Sequence, residues 1–248
     1  MIDAPKAIDA AAADAAPDGP TSFNCATAPT GGTHKIFLAF EGVTLTRAAV
    51  SDATQNLAAQ VDSSTTTATI PAWKAAAGNR AVQIQALVCA MRESLLAYDV
   101  ELVTARPASG NYEMVVFGGG PRDLGLSVPS SSGIAMLAVN DCTNNNPRDV
   151  VWVAERPVPS MPTLEVMPIE SANSATAGIG IGDGLASSKS AANCMCYTGN
   201  DEPVLCTSTQ ACQLTTSSPI PMGGNYCNAA GTTENQVAKL TARYGMRP

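Results

Sequence analysis

The 248-residue chain has a single histidine, His34. A zinc centre that needs two or three imidazoles cannot be assembled from one. Basic residues are also few: 14 Lys and Arg stand against 21 Asp and Glu, a net charge of -7 and a pI near 4.6. No basic stripe is available to displace counterions from phosphates, which excludes a nucleic-acid partner. Charged residues make up 14% and aromatic residues 4%, against roughly 25% charged in ordinary globular chains. Ala, Ser, Thr, Asn and Gly take their place. No apolar run reaches the roughly 18 residues of a transmembrane span. The first residues lack the cationic start and hydrophobic stretch of a signal peptide.

Cysteine, in contrast, is plentiful. Eight stand at 25, 89, 142, 194, 196, 206, 212 and 227, five of them between Cys194 and Cys227. An even count in a lysine-poor, Ser/Thr/Asn-rich chain reads as a disulfide framework formed in an oxidising compartment. A cysteine-only zinc site would show two C-x-x-C pairs, whereas only C-x-C with loose spacings is present. Spacing alone leaves the connectivity open.

Residues 1–22 are a low-complexity Ala/Asp/Pro segment, read as a disordered tether because such composition buries too little apolar area to offset chain entropy. An export-type domain behind a tether implies a signal or lipid-attachment cysteine upstream of Met1. Residues 23–192 form the main unit, and 193–248 a cysteine-rich unit closed by a helix. Short apolar runs predict strands at 34–40, 100–104, 112–117, 134–139 and 150–154. The 100–104 and 112–117 runs flank a Pro/Gly turn and read as a hairpin or close neighbours. Apolar residues spaced by three and four predict a helix over 80–98, N-capped by Asn79. A second helix is predicted over 163–178, with Pro168 bending it or marking its first turn. Residues 233–244 read as a helix stopped by Gly245. Residues 48–78 show no clear period and read as loop. The fold class is α+β: one twisted mixed sheet, two main helices, disulfide-rich C-terminal loops and a C-terminal helix.

Several pieces together resemble the metzincin zinc endopeptidases, in particular exported bacterial members. They are Phe37-Leu38-Ala39-Phe40-Glu41-Gly42, Tyr98-Asp99-Val100, Val103-Thr104-Ala105-Arg106-Pro107, Asn111-Tyr112 with Val115-Val116-Phe117-Gly118-Gly119, and Asn140-Asp141-Cys142 running to Val150-Val151-Trp152-Val153. The resemblance covers residues 34–245. It implies a helix carrying H-E-x-x-H-x-x-G-x-x-H, whose histidines hold zinc and whose glutamate polarises the bound water. The best register runs from Asn173 to Asp183. Gly180 takes the place of the turn glycine, Asn173, Ala177 and Asp183 those of the ligands, and Ser174 that of the glutamate. Met195, in Cys194-Met195-Cys196-Tyr197, resembles the methionine turn that floors such sites. If the helix and a turn at Gly180 are retained, changing the three ligand positions to histidine and Ser174 to glutamate would restore a zinc site.

Other features carry less chemistry. The alternation Gly178, Gly180, Gly182 and Gly184 follows a helix rather than a strand, against the order of a phosphate-cradling loop. Ser174 lacks a nucleophile elbow, and His34 at a strand start reads as a surface or capping residue. Asp141, Asn144, Asn145 and Asp149 could supply oxygens to calcium, but turn chemistry explains the same residues. The sequence therefore leads to an exported, non-catalytic relative of a metallopeptidase that binds peptide or protein in its former cleft and takes no zinc or other cofactor. The alternatives are a metalloendopeptidase with an unusual centre built from Asp183, Glu170 or cysteines, and a structural surface lipoprotein.

Overall fold

The computed structural model describes residue 25, residues 31–128, 134–155, 168–196, residue 206, residues 209–220, residue 227 and residues 232–248. The tether over 1–22, the first part of the second helical prediction (163–167) and Tyr197 lie outside them. The elements run β1 (His34–Ala39), β2 (Val43–Arg47), β3 (Leu57–Ala58), β4 (Thr67–Ile70), α1 (Arg80–Ser94), β5 (Val100–Val103), β6 (Tyr112–Phe117), β7 (Met136–Ala138), β8 (Val150–Val153), α2 (Pro168–Gly182), β9 (Ser218–Pro219), β10 (Thr233–Glu234) and α3 (Gln236–Tyr244). The class is α+β, as the sequence indicates.

Five strands form the main sheet in the order β5-β1-β6-β8-β7; β7 alone runs antiparallel. β5 and β6 are neither a hairpin nor paired neighbours, contrary to the expectation for 100–104 and 112–117, because β1 lies between them and pairs with both. The eight residues 104–111 are long enough to carry the chain back along the sheet between two parallel strands. β6 and β8 are buried along their whole length, the pattern of parallel strands covered on both faces.

Side-chain parity divides that burial into two layers. Ile36, Leu38, Val115, Phe117, Val151 and Val153 face α1 and α2. Phe37, Ala39, Met114, Val116, Val150 and Trp152 face a second apolar cluster around Leu45, Ala68 and Ile70. The second cluster belongs to a three-stranded sheet of order β3-β2-β4. Much of 48–78, predicted to be loop, is therefore a covering layer. Its strands are too short to show a period, although Thr67–Ile70 alternates between exposed and buried residues.

α1 ends at Ser94 rather than Tyr98, and Val82, predicted to be on its apolar face, is 70% exposed. Asn79 sits at the N-cap without a capping side-chain bond; its Oδ1 accepts from Gln83 instead. Pro168 is the first residue of α2, where its missing N–H costs nothing. α2 runs past the predicted end at 178 to Gly182. The helical glycines allow it to lie close on its neighbours. A Cβ at Gly178 would sit 2.3 Å from Val151 Cγ1, and one at Gly180 would sit 2.5 Å from Met195 Sδ.

All eight cysteines are bridged: Cys25–Cys89, Cys142–Cys227, Cys194–Cys212 and Cys196–Cys206. Such a framework belongs to a protein matured in an oxidising compartment. Among the described residues no helix is long and apolar enough to cross a membrane.

Two outcomes follow from this packing. Thiol titration in denaturant without reductant should find no free thiol; eight would contradict the bridges. Gly178→Ala should lower stability by about 1–2 kcal/mol, the overpacking against Val151 outweighing the gain in helix propensity. Combined with Val151→Ala it should cost less than the sum of the two single changes in a denaturant-melt cycle.

Candidate functional site

α2 presents the positions singled out from the sequence, and the structure separates them. Asn173 and Ala177 are four residues apart and half-buried on one face of α2. Asn173 spends both ends of its amide on the chain beside it. Its Nδ2 donates to the Gln210 carbonyl at 3.0 Å, and its Oδ1 accepts from the Cys212 N–H at 3.0 Å. It thereby fastens α2 to the segment closed by Cys194–Cys212. Ser174 is half-buried beside it.

Gly180 does not turn the chain, contrary to the reading from the resemblance. The helix continues through it, with Asp183 N–H donating to Ile179 O at 2.9 Å. The turn falls at Gly184, whose φ of +73° is left-handed and suits glycine. Six further residues of helix rotate Asp183 by about 240° from Ala177, so Asp183 is buried on a different side from Asn173 and Ala177. Met195 is 3% exposed and packs against Gly180. The Met195 N–H donates to Asn193 Oδ1 at 2.8 Å, and the Asn193 side chain in turn bonds to Gln236 of α3.

Asp183 belongs instead to a buried ionisable cluster that the sequence reading missed. Glu113 and Asp149 share the helix-facing parity of Val115 and Val151, and the β6–β8 register places them side by side at the start of their strands. α3 brings Arg243 and Tyr244 onto them. Arg243 Nη2 lies 3.0 Å from Glu113 Oε1, and its Nε lies 3.4 Å from Asp183 Oδ1. The Tyr244 hydroxyl is 2.9 and 3.0 Å from the two Glu113 oxygens and 2.7 Å from Asp183 Oδ2. His34, at the start of β1, sets its ring edge-on to Tyr244 at 5.5 Å between centroids. The sequence signal was Glu113 itself, a carboxylate inside the apolar run Tyr112–Phe117.

The proton count of this cluster follows from its distances. A phenol has one proton to give. Donated to Glu113, whose charge Arg243 holds, it leaves the 2.7 Å contact with Asp183 to be made by a proton on Asp183. Burial and then the Glu113 charge push the Asp183 carboxyl well above its ordinary range. Burial raises Glu113 as well. Burial, then Glu113, push Asp149 up to about 7 from 3.8. The arrangement stores protons inside the fold rather than aiming a charge at a cleft.

The loop carrying Asp141 is a different case. Against the upward push of burial, hydrogen bonds from Thr143, Asn145 and Asn146 hold its carboxyl below the usual range. Its oxygens are spent on closing a turn, with Asn144 at a left-handed φ of +51°. Asp149 is half-buried between that loop and the cluster, and its Oδ1 accepts from Asn146 Nδ2 at 2.5 Å. Glu170 lies in the first turn of α2, and the cysteines are in disulfides. Among the described residues no three His, Cys, Asp or Glu side chains converge in an arrangement that would hold a metal ion.

The sign of the pH dependence is fixed by the raised groups. A carboxyl whose folded pKa lies above its unfolded value binds more protons when folded, so its stabilisation is complete below 3.8 and lost as pH rises toward the folded value. Melting temperature should therefore fall between about pH 5 and about pH 7, and Asp149→Asn should flatten that fall. A wild-type melting temperature that rises across this interval would count against protonated Asp149 and Asp183.

No family model matches the chain, and no curated protein matches it.

Proposed function

We propose that the chain is an exported, non-catalytic binding protein related to metallopeptidases, which takes an extended peptide along the edge of its sheet. The observation that carries this reading is Asn173. At the position where the resembled family places its first zinc ligand, both ends of the amide are committed to the Gln210–Cys212 backbone. The second position is Ala177, with no donor atom. The third, Asp183, is buried 4% exposed in a cluster on another side of the helix. Ser174 supplies no carboxylate to act on a bound water. The ligand set and the base, which would have to act as a unit, are both missing.

The binding half of the proposal rests on β7. It pairs with β8 on one side, and among the described residues no strand pairs with its other side. The Ala154 N–H donates to Ala135 O at 2.8 Å, which makes 135–154 and 137–152 the hydrogen-bonded pairs of the antiparallel ladder. Met136 and Ala138 then direct their N–H and C=O groups away from β8, where an added strand would meet them. Their side chains pack toward the α2 layer, and Leu137 packs toward the small-sheet layer. The four disulfides support an extracytoplasmic setting, with attachment through a lipid-bearing cysteine upstream of Met1 as the proposed anchoring. A mass spectrum of the native mature N-terminus tests that point: an acylated upstream cysteine supports it, and a free Met1 overturns it.

Purified protein should carry no stoichiometric zinc and show no chelator-sensitive cleavage of casein. Stoichiometric zinc with such cleavage would overturn the non-catalytic reading in favour of an unusual metal centre. Selection from a displayed library of extended peptides should yield binders that Ala138→Pro abolishes, because proline removes an outward N–H and is tolerated at a sheet edge. Binders unaffected by that change would move the site elsewhere. The change Asn173→His, Ser174→Glu, Ala177→His, Asp183→His should destabilise the protein rather than create a zinc site, since Asp183 does not face Ala177. Metal analysis and a thermal melt of the variant decide between the two outcomes.

A further inference from the structure

We infer that α3 is a protonation-controlled latch: its Arg243–Tyr244 end is docked on carboxyl groups that must carry protons for it to stay docked, so rising pH releases it and loosens the methionine segment and the turn that end at α2. The docked cluster has one cation from α3, Arg243, facing Glu113 from β6 and Asp183 from the end of α2. Asp149, before β8, adds a third carboxyl, and Asp141 lies near enough to Asp149 to act on it electrostatically. From β1 the facing group is His34, against the Tyr244 ring. One guanidinium can balance one carboxylate. The Tyr244 hydroxyl lies within hydrogen-bond distance of both Glu113 and Asp183 and has one proton, so a second must sit on a carboxyl. Full ionisation would leave two buried carboxylates, Glu113 and Asp183, on a single Arg243, with the half-buried Asp149 nearby and the 2.7 Å contact between Tyr244 and Asp183 short of a proton. Undocking α3 lifts Arg243 and Tyr244 from Glu113 and Asp183 and hydrates both, and it removes the Arg243 charge that acts on Asp149.

The same helix holds the parts that a release would free. At its first turn, Gln236 exchanges side-chain hydrogen bonds with Asn193 and accepts from the Thr215 N–H at 3.2 Å. Asn193 fixes the N–H of Met195, which packs under Gly180. In the middle of α3, Lys239 Nζ donates to the carbonyl of Gly184, the turn that ends α2, at 2.9 Å, and pairs with Glu234 at 2.6 Å. Beyond the helix, Arg247 donates to the Val100 carbonyl at 2.7 Å and to Gly31. Undocking the carboxyl end thus pulls on the Met195 segment and on the Gly184 turn, which adjoin the Asn173 face of α2. The effect concerns α3 and its neighbours whether or not a peptide adds to β7.

The direction follows from proton linkage. Asp149 and Asp183 hold protons when α3 is docked and lose them when it is open, so opening grows by about tenfold per pH unit for each such proton, from the ordinary carboxyl range up to the docked value. Hydrogen exchange of the full chain, corrected for intrinsic rates, should show α3 amides opening at least about tenfold more per unit between about pH 5 and about pH 7. β6 amides in the sheet centre, which exchange only on global unfolding, should stay more strongly protected than α3 amides at every pH. Asp149→Asn with Asp183→Asn should remove most of the slope. Opening of α3 that is independent of pH, that is no more frequent than the global opening seen at β6, or that keeps its full slope in the double variant overturns the latch. If the double variant does not fold, infrared spectroscopy of the wild type decides. A protonated-carboxyl C=O stretch near pH 6 that disappears as α3 opens supports the latch, and its absence overturns it.

Discussion

Both faces of the main sheet are apolar, and the helices on one side and the small sheet on the other keep water from them. Parallel strands such as β1, β6 and β8 require cover on two sides. α1 and α2 supply one cover, and the β3-β2-β4 sheet with its loops supplies the other. The helical cover lies unusually close because Gly178 and Gly180 remove the side chains that would hold α2 away from Val151 and Met195. The seat of α2 is therefore set by its contacts with Val151 of β8 and with Met195.

That contact also determines which residues of α2 can act together. Because the helix stays regular through Gly180, Asn173 and Ala177 share one face while Asp183 is carried round to meet Glu113, Arg243 and Tyr244. The chain places an amide staple where the resembled enzymes place a ligand, and a hydrogen-bonded acid where they place another. Both are structural uses of polar side chains. Each is satisfied by partners that come from far along the chain, Cys212 in one case and Tyr244 in the other.

Much of this fold was legible in the sequence. Apolar runs located five strands of the main sheet, the spacing of three and four located α1, and Pro168 marked the start of α2. The pairing order was not legible, because 100–104 and 112–117 are adjacent in sequence yet separated by β1, a relation set by distant residues. The small covering sheet was missed because strands such as Thr67–Ile70 are shorter than any window in which a period can be seen. At the candidate site, Met195 is buried against Gly180. The end of α2 was not legible, since the resemblance put a turn at Gly180, where close packing on Met195 goes with an intact helix. The Glu113 cluster needed strand register and the position of α3, neither of which a local pattern contains.

The bridge between Cys25 and Cys89 has a mechanical consequence. It joins the segment before β1 to the middle of α1, closing a loop that contains β1. A pull applied at Cys25 passes through the sulfurs into α1. β1, with neighbours on both sides, is spared direct load, and the force enters through the helix layer of the molecule. Any attachment at the N-terminus would hold the domain by α1 and turn the β3-β2-β4 layer outward, away from the point of anchorage.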